Sequence, residues 1–394
     1  MQFVGIDIGS ERHVIAIVNE QGDVVVKPTG FSEDASGYQS LRTRLGAPGQ
    51  TLIAMEATGH YWQNLFTYLA TEGFAVALLN PLRTHHFAGE ELQRTKTDAI
   101  DAIGIARFAS QKRPPVTRLP DGVTQELREL VRLRDRQSQE FGDRLRQLHR
   151  LVDLGFPEFT RHVRTLDSQL ATALLRECPT AAAFARIAHK RLANLRYDGR
   201  HKVGADLAQT LVAAARESVG RHHGPVYCVQ VRYACEDLDV LRRRLQELER
   251  DIEQTLHHHE VGLLLTTIDG IGPQTAARLI TELGNLDNFR SAAALAAYVG
   301  VTPAIRQSGK RRGLHAGLTR IGHARLRAAL WMPTLVAVQK NPWLRAYYQR
   351  LRARGKLAKV ALVAALHKLL FAIYSVAKSR RPFVPQLPSV EVST

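Results

Sequence analysis

The first 26 residues, MQFVGIDIGSERHVIAIVNEQGDVVV, constrain the fold more tightly than any other stretch. Apolar residues run directly into one carboxylate, Asp7, which Gly9-Ser10 closely follow, and a second apolar run leads to a turn at Gln21-Gly22. FVGIDIG, HVIAIVNE and DVVVKPTG therefore predict three short strands joined by tight turns. A helix is expected from an N-cap at Ser32 to Leu45, ended by GAPG. TLIAMEATG reads as a fourth strand, HYWQNLFTYLATEG as an amphipathic helix closed by Gly73, and FAVALLNP as a fifth strand. The order β-β-β-α-β-α-β-α predicts an antiparallel hairpin set followed by crossover units.

An acid at the end of a buried strand serves chemistry more than folding. Glu56 ends the fourth strand, which should neighbour the first. In KTDAIDAIGIARFA, Asp98 and Asp101 stand three residues apart on one side of a helix. An RNase H-like sheet would collect these four carboxylates, and hard oxygen donors of this kind suit Mg²⁺. Two such ions about 4 Å apart activate an attacking oxygen and stabilise a leaving one. An actin-like kinase contains the same strand order. It also needs a second phosphate-binding Asp-Gly hairpin, for which TIDGIG is the one candidate, and no strand follows it. A non-catalytic DNA-binding protein has no use for four aligned acids facing a polyanion.

Charge is distributed unevenly over the 394 residues, whose net charge is +17. Residues 1–115 hold 10 Lys/Arg against 12 Asp/Glu, whereas residues 288–390 hold 19 Lys/Arg and no acid. A surface with one sign of charge points to a polyanion, and nucleic acid is the expected partner. Three cysteines, Cys178, Cys228 and Cys235, show no paired spacing, so reduced thiols in a bacterial or archaeal cytoplasm are expected. No secretory leader is evident at the N-terminus. VALVAALHKLLFAIYSVA is interrupted by His367 and Lys368 and reads as a buried helix, not a membrane span.

KRPPVTRLPDG, residues 112–122, is a linker. Beyond it Leu127, Leu130, Phe141, Leu148 and Leu151 recur at heptad spacing. Val231, Ala234, Leu238, Leu241, Leu245, Leu248 and Ile252 form a cleaner seam, predicting a coiled coil or an antiparallel helical stalk that could also join subunits. Residues 153–225 read as helical and irregular, with no role assigned. From about Val261, IDGIGPQTAARL has the form of a helix-hairpin-helix, in which Gly270 and Gly272 would let backbone N–H groups approach a phosphate. The HHHE run at 257–260 reads as a helix end, since consecutive imidazoles point around a helix.

The stretches GIDIGSERH, MEATGHYWQNL, GFAVALLNPLRTHHFA and KTDAIDAIGIARF resemble the N-terminal domain of the insertion-sequence-110 family of transposases, DEDD recombinases with a RuvC-like domain. The run from IDGIG to ARLRAAL resembles that family's second domain. The resemblance implies a DNA transposase whose metal ligands are Asp7, Glu56, Asp98 and Asp101, guided by a structured bridge RNA. It also implies a serine nucleophile that links covalently to DNA, and Ser308 in VTPAIRQSGKRRG matches it. Lys310, Arg311 and Arg312 could steady a phosphate beside that hydroxyl. Ser291 is the rival, read as a helix cap. Arg320, His323, Arg325 and Arg327 would add phosphate contacts, as would the basic residues around Trp343, Tyr347 and Tyr348. A Holliday-junction endonuclease shares the four acids but uses water. The expected layout is an α/β RNase H-like (RuvC-like) domain over 1–115, a linker and helical coiled-coil region over 116–260, a mainly α-helical transposase domain over 261–385 and a tail over 386–394, assembled as a dimer or tetramer.

Overall fold

Strands β1 (Gln2–Asp7), β2 (Arg12–Val18) and β3 (Val24–Ser32) form an antiparallel meander. Helix α1 (Ala35–Arg44), β4 (Thr51–Glu56), α2 (Trp62–Thr71), β5 (Ala75–Leu79), α3 (Pro81–Glu90) and α4 (Asp98–Lys112) follow. The five strands make one mixed sheet in the order β3-β2-β1-β4-β5, with β4 parallel to both β1 and β5. The computed structural model describes residues 1–57, 59–90, 97–119, 121–308, 311–318 and 321–385, with the backbone alone for 303–308 and 311–318. It divides into two compact units, Met1–Pro120 and Asp121–Thr394.

Strand alternation sorts the first unit's core into two layers. Val4, Ile6, Ile53 and Met55 pack with Leu41 of α1 and with Leu65 and Leu69 of α2. Phe3, Leu52 and Ala54 point the other way, toward Phe87 of α3 and Ile105, Ala106 and Phe108 of α4. Gly5 belongs to this second face. A Cβ there would lie 2.1 Å from the Ala102 carbonyl oxygen and 2.3 Å from the Ala106 amide nitrogen, so α4 rests directly on the β1 backbone.

The helix cap expected at Ser32 lies two residues further on. Strand β3 continues through Ser32, and the side chain of Asp34 accepts the Gly37 N–H at 2.7 Å. A carboxylate at this position also faces the positive end of the helix. Next to it, Glu33 holds the fully buried His13 of β2 at 2.6 Å, accepts from the Tyr38 hydroxyl at 2.7 Å and accepts from Asn64 of α2 at 3.1 Å. Burial pushes the Glu33 carboxyl up, but the hydrogen bonds from His13, Tyr38 and Asn64 outweigh it and hold the group below its ordinary value of 4.5. A lowered carboxyl contributes stability in full above that ordinary value, and the contribution disappears as pH falls through the lowered one. Glu33→Gln is expected to lose about 1–3 kcal/mol in urea melts at pH 7, because one neutral amide oxygen replaces the two charged oxygens that serve His13, Tyr38 and Asn64. The difference from the native protein should narrow under acid conditions; a gap that stays constant to pH 2 would refute the linkage.

In the second unit α5 (Gly122–Gly155) is followed by short helices α6 (Phe159–His162), α7 (Gln169–Glu177), α8 (Ala181–Arg186), α9 (His189–Ala193) and α10 (Ala205–Arg216), and then by α11 (Pro225–Leu256). After these come α12 (Glu260–Leu265), α13 (Pro273–Leu283), α14 (Ala292–Val299), the antiparallel pair β6 (Pro303–Ser308) and β7 (Arg311–Leu318), α15 (Ala324–Ala329), α16 (Trp331–Lys340), α17 (Pro342–Ala353) and α18 (Ala358–Ser379). The β6–β7 pair is an addition to the mainly helical expectation.

The two long helices run antiparallel, with Arg134 bound to Glu249 at 2.7 Å and Arg144 to Asp237 at 3.0 Å. The seam on α11 is buried at Val231, Ala234, Leu238, Leu241, Leu248 and Ile252, and half-buried at Leu245. The pair carries a core at each end. Leu148, Leu151, Val231 and Leu238 join α6, α7, α8 and α10 around Phe156, Phe159 and Phe184. Leu127, Val131, Ile252 and Leu256 join the C-terminal helices. This shared core joins residues 121–260 to 261–385 within the second unit, which begins at Asp121. Helix α18 is the one described helix long and apolar enough to cross a membrane, yet Leu362, Leu366, Leu369 and Ile373 bury in that same core. Cys178 and Cys235 are buried with their thiols pushed up to about 12 by desolvation, and all three cysteines are free.

Candidate active site

Asp7 is the last residue of β1 and Glu56 the last of β4. These strands are parallel neighbours, with Ile6 opposite Met55 one position earlier. Alternation puts both acids on the face that Phe3, Gly5, Leu52 and Ala54 turn toward α4. Helix α4 runs antiparallel to β1: the Arg113 guanidinium at its C-terminal end lies over the Phe3 ring, and Ala102 and Ala106 lie over Gly5. Its first turn, which contains Asp98 and Asp101, is therefore directed to the end of the sheet where Asp7 and Glu56 stand. Thr97 caps this turn by accepting the Ile100 N–H at 3.3 Å, and the helix N-terminus favours the two carboxylates beside it.

The four acids share one end of the sheet but are not drawn into a closed ligand shell. Among the described residues no three carboxylate, imidazole or thiolate groups stand close enough together to hold one ion. The donor chemistry nevertheless fits Mg²⁺, which is bound by one or two carboxylates with waters and substrate phosphates completing the octahedron. Asp7 and Glu56, on adjacent strands, meet that requirement as a pair. Thr84 of α3 was not foreseen. Its hydroxyl lies 2.6 Å from Glu56 Oε1 and 2.9 Å from the Pro81 carbonyl, and so fixes the Glu56 rotamer. Only its position three residues after Pro81 hints at this, and such spacing is common at helix starts.

In the second unit the backbone places Ser308 at the end of β6, in register with Arg311 at the start of β7. The matching nucleophile position is thus at the turn of a two-stranded hairpin, with Arg312 next along β7. Lys310 and Arg320 lie outside the described residues. Ser291 caps α14, accepting the Ala294 N–H at 3.1 Å. His259 caps α12 by accepting the Gly262 N–H at 3.0 Å, as befits a helix end.

The basic candidates separate by environment. Arg327 is half-buried and donates through Nη1 to the Val299 carbonyl at 3.1 Å, so one of its N–H groups serves the C-terminal end of α14. His323 caps α15 and sits 3.1 Å from Glu282. Arg325 is 68% exposed and lies within 4 Å of both Asp135 and Glu282, so its charge is shared with two carboxylates. Gly270 has φ +100°, and a Cβ on it would lie 2.5 Å from the Ala337 methyl, so packing against α16 accounts for this glycine. Gly272, the N-cap of α13, is exposed with open space around it. Trp343 and Tyr348 pack half-buried on the C-terminal core, while Arg345, Arg350, Arg352, Arg354 and Lys356 remain exposed.

Residues 4–157 match a DEDD family model described as "Transposase" and named for IS110, and residues 262–349 match one described as "Transposase IS116/IS110/IS902 family". The chain belongs to that family. The 44.8 kDa protein of insertion element IS116 from Streptomyces clavuligerus is 26% identical over 99% of this chain and 98% of its own length. The pilin gene-inverting protein of Moraxella bovis is 25% identical over 90% of this chain and 89% of its own. The mini-circle putative transposase for IS117 from Streptomyces coelicolor is 25% identical over 98% and 95%. A transposase of this family is an enzyme that cuts and rejoins DNA, which disposes of the kinase reading. The first model spans Asp7, Glu56, Asp98 and Asp101, and the second spans Ser308.

Proposed function

We propose that this transposase excises and inserts its element through a serine–DNA covalent intermediate, with Ser308 as nucleophile and Asp7, Glu56, Asp98 and Asp101 as the metal-binding acids of an RNase H-like, RuvC-like domain. The observation that carries the reading is the meeting of β1, β4 and the first turn of α4 at one end of the sheet, each ending in or bearing an acid. When bound, Mg²⁺ would neutralise the charge on the scissile phosphate and polarise the oxygens that exchange on it. Ser308 Oγ attacks phosphorus, so an Oγ–P bond forms while the P–O bond to a deoxyribose breaks. The hydroxyl proton leaves Ser308 as the departing oxygen gains one. Attack by a deoxyribose hydroxyl of the partner strand reverses these changes and frees the serine. One phosphodiester is exchanged for another at every step, so no external energy source is needed. The chemistry requires Ser308 and the acids to reach the same phosphate, and oligomer assembly as a dimer or tetramer through the helical stalk would arrange it.

We further infer guidance by a bridge RNA, supported by the family likeness, with Arg345, Arg350 and Arg352 of α17 exposed to receive a polyanion. The deciding experiment mixes the protein, RNA from the element's flank and labelled DNA in Mg²⁺, then separates products on a denaturing gel. A protein–DNA band is expected, lost completely in Ser308→Ala. Nicked DNA without a band, unchanged in that variant, would assign the nucleophile to water and the enzyme to the junction endonucleases. A band that forms equally well without RNA would remove the guide.

A further inference from the structure

The helical domain at the far end of the stalk, residues 153–225, presents a small basic hairpin that the chemistry above does not use. The Val203 N–H donates to the Leu195 carbonyl at 3.0 Å and the Tyr197 N–H to the His201 carbonyl at 3.3 Å, with Arg196 bridged to Lys202 between them. The turn is Asp198-Gly199-Arg200, in which Gly199 takes φ +80°. Alternation gives this loop two faces. Leu195 and Val203 pack on the core around Phe156 and Phe184, so Arg196 and Lys202 project from the opposite, solvent side.

The charges on that side are not cancelled. Asp198 is the one acid between residues 178 and 205. It accepts from the Arg200 and His201 amides at 2.9 and 2.7 Å and from the His201 ring at 2.6 Å. Arg196 donates to the Gly199 carbonyl at 3.2 Å and Lys202 to the Asn194 side-chain oxygen at 2.9 Å. These partners orient the cations but carry no charge. Among the described residues, Arg196, Arg200 and Lys202 have no carboxylate within ion-pair distance. Arg196 and Lys202 are thus oriented by neutral partners, and Arg200 stands exposed at the turn beside them, which gives the hairpin an edge of three cations suited to phosphate.

We propose that this hairpin is a second DNA contact, a wing that grips the phosphate backbone of duplex DNA away from the bonds being exchanged. Duplex is favoured over single strands because Tyr197, the hairpin's one Phe, Tyr or Trp, is half-buried under the His201 ring at 6.0 Å, and that imidazole is itself held by Asp198 at 2.6 Å, so the hairpin has no row of free aromatic faces for unstacked bases. The stalk sets the reach. From Val131 in one core to Leu148 in the other, α5 spans about 25 Å at the helical rise. The DNA held by the wing is therefore flanking sequence and is held without base readout. The inference that the hairpin grips DNA rests on the chain being a DNA transposase and not on the guide, and its distance from the exchange rests on the Ser308 reading, which the salt slope itself does not involve.

The test is the salt dependence of binding to a labelled 40-base-pair duplex of arbitrary sequence, for the full-length protein and for Arg196→Gln/Arg200→Gln/Lys202→Gln. Each phosphate contact contributes about 0.9 to the slope of log K against log salt, so the triple variant should lose about 2.7. Raising salt from 50 to 200 mM should then cost the native protein about 40-fold more affinity than it costs the variant. Arg196→Lys/Arg200→Lys keeps the charge and should restore the native slope, which separates charge loss from misfolding. Adduct formation on short DNA that covers only the cut site should be unchanged. An unaltered slope in the triple variant overturns the proposal. So does a slope change seen with a structured RNA hairpin and absent with the DNA duplex.

Discussion

Asp7→Asn is expected to lower the yield rate of the protein–DNA adduct by a factor of about 10³ or more while leaving the fold intact. The substitution keeps the shape of the side chain and removes one charge at the end of β1, where Ile6 and Val14 neighbours hold the backbone in register. Metal stabilisation of charge on a transferring phosphoryl group supplies several kcal/mol, and about 4 kcal/mol corresponds to 10³ in rate. Glu56→Gln should act in the same direction, and because Thr84 still finds a side-chain oxygen there, its rotamer should persist. The measurement pairs adduct kinetics with thermal melting. An adduct rate within tenfold of native in Asp7→Asn, at equal melting temperature, would remove the acids from the reaction. A loss accompanied by a collapse in melting temperature in Asp7→Asn, but not in Glu56→Gln, would make Asp7 structural and leave the reaction to the others.

The first unit was readable because its signals are local. Apolar alternation in FVGIDIG and TLIAMEATG fixes which face each residue takes, and the acid at each strand end follows from the same parity. The cap at Asp34 was missed because Ser32, Glu33 and Asp34 all read as capping residues, and only the pairing of β3 decides among them. In the second unit the informative contacts are distant in sequence. Arg327 reads as one more cation in TRIGHARLR until the C-terminal end of α14 is seen to need a donor. Gly270 reads as a phosphate-approach glycine until Ala337 fills the space beside it. The β6–β7 hairpin was hidden because Arg306, Ser308 and Arg311 interrupt the alternation that normally announces a strand. The wing was overlooked for the same reason: Arg196 and Lys202 belong together only once Leu195 and Val203 are seen to share a core.

Gly5 links the fold to the chemistry, and Gly5→Ala is the second change expected to have a large effect. A methyl group at this position would overlap the Ala102 carbonyl and the Ala106 amide, both backbone atoms of α4, so no side-chain rotation can relieve the contact. The helix as a whole must lift from β1. Overpacking of a core costs about 1–3 kcal/mol when side chains can adjust, and a backbone-on-backbone clash belongs at or above the upper end of that range. Since α4 carries Asp98 and Asp101 in the turn that precedes Ala102, lifting it also separates those acids from Asp7 and Glu56. A displacement of about 1 Å in a reacting constellation costs about 10²-fold in rate. Gly5→Ala should therefore lower the melting temperature and the adduct rate together, whereas Asp7→Asn lowers the rate alone. At a second glycine, Gly49, nothing stands within 4 Å of the added Cβ, so Gly49→Ala should alter neither quantity. If Gly5→Ala melts and reacts like the native protein, α4 does not rest on β1 as described, and the convergence of the four acids loses its structural basis.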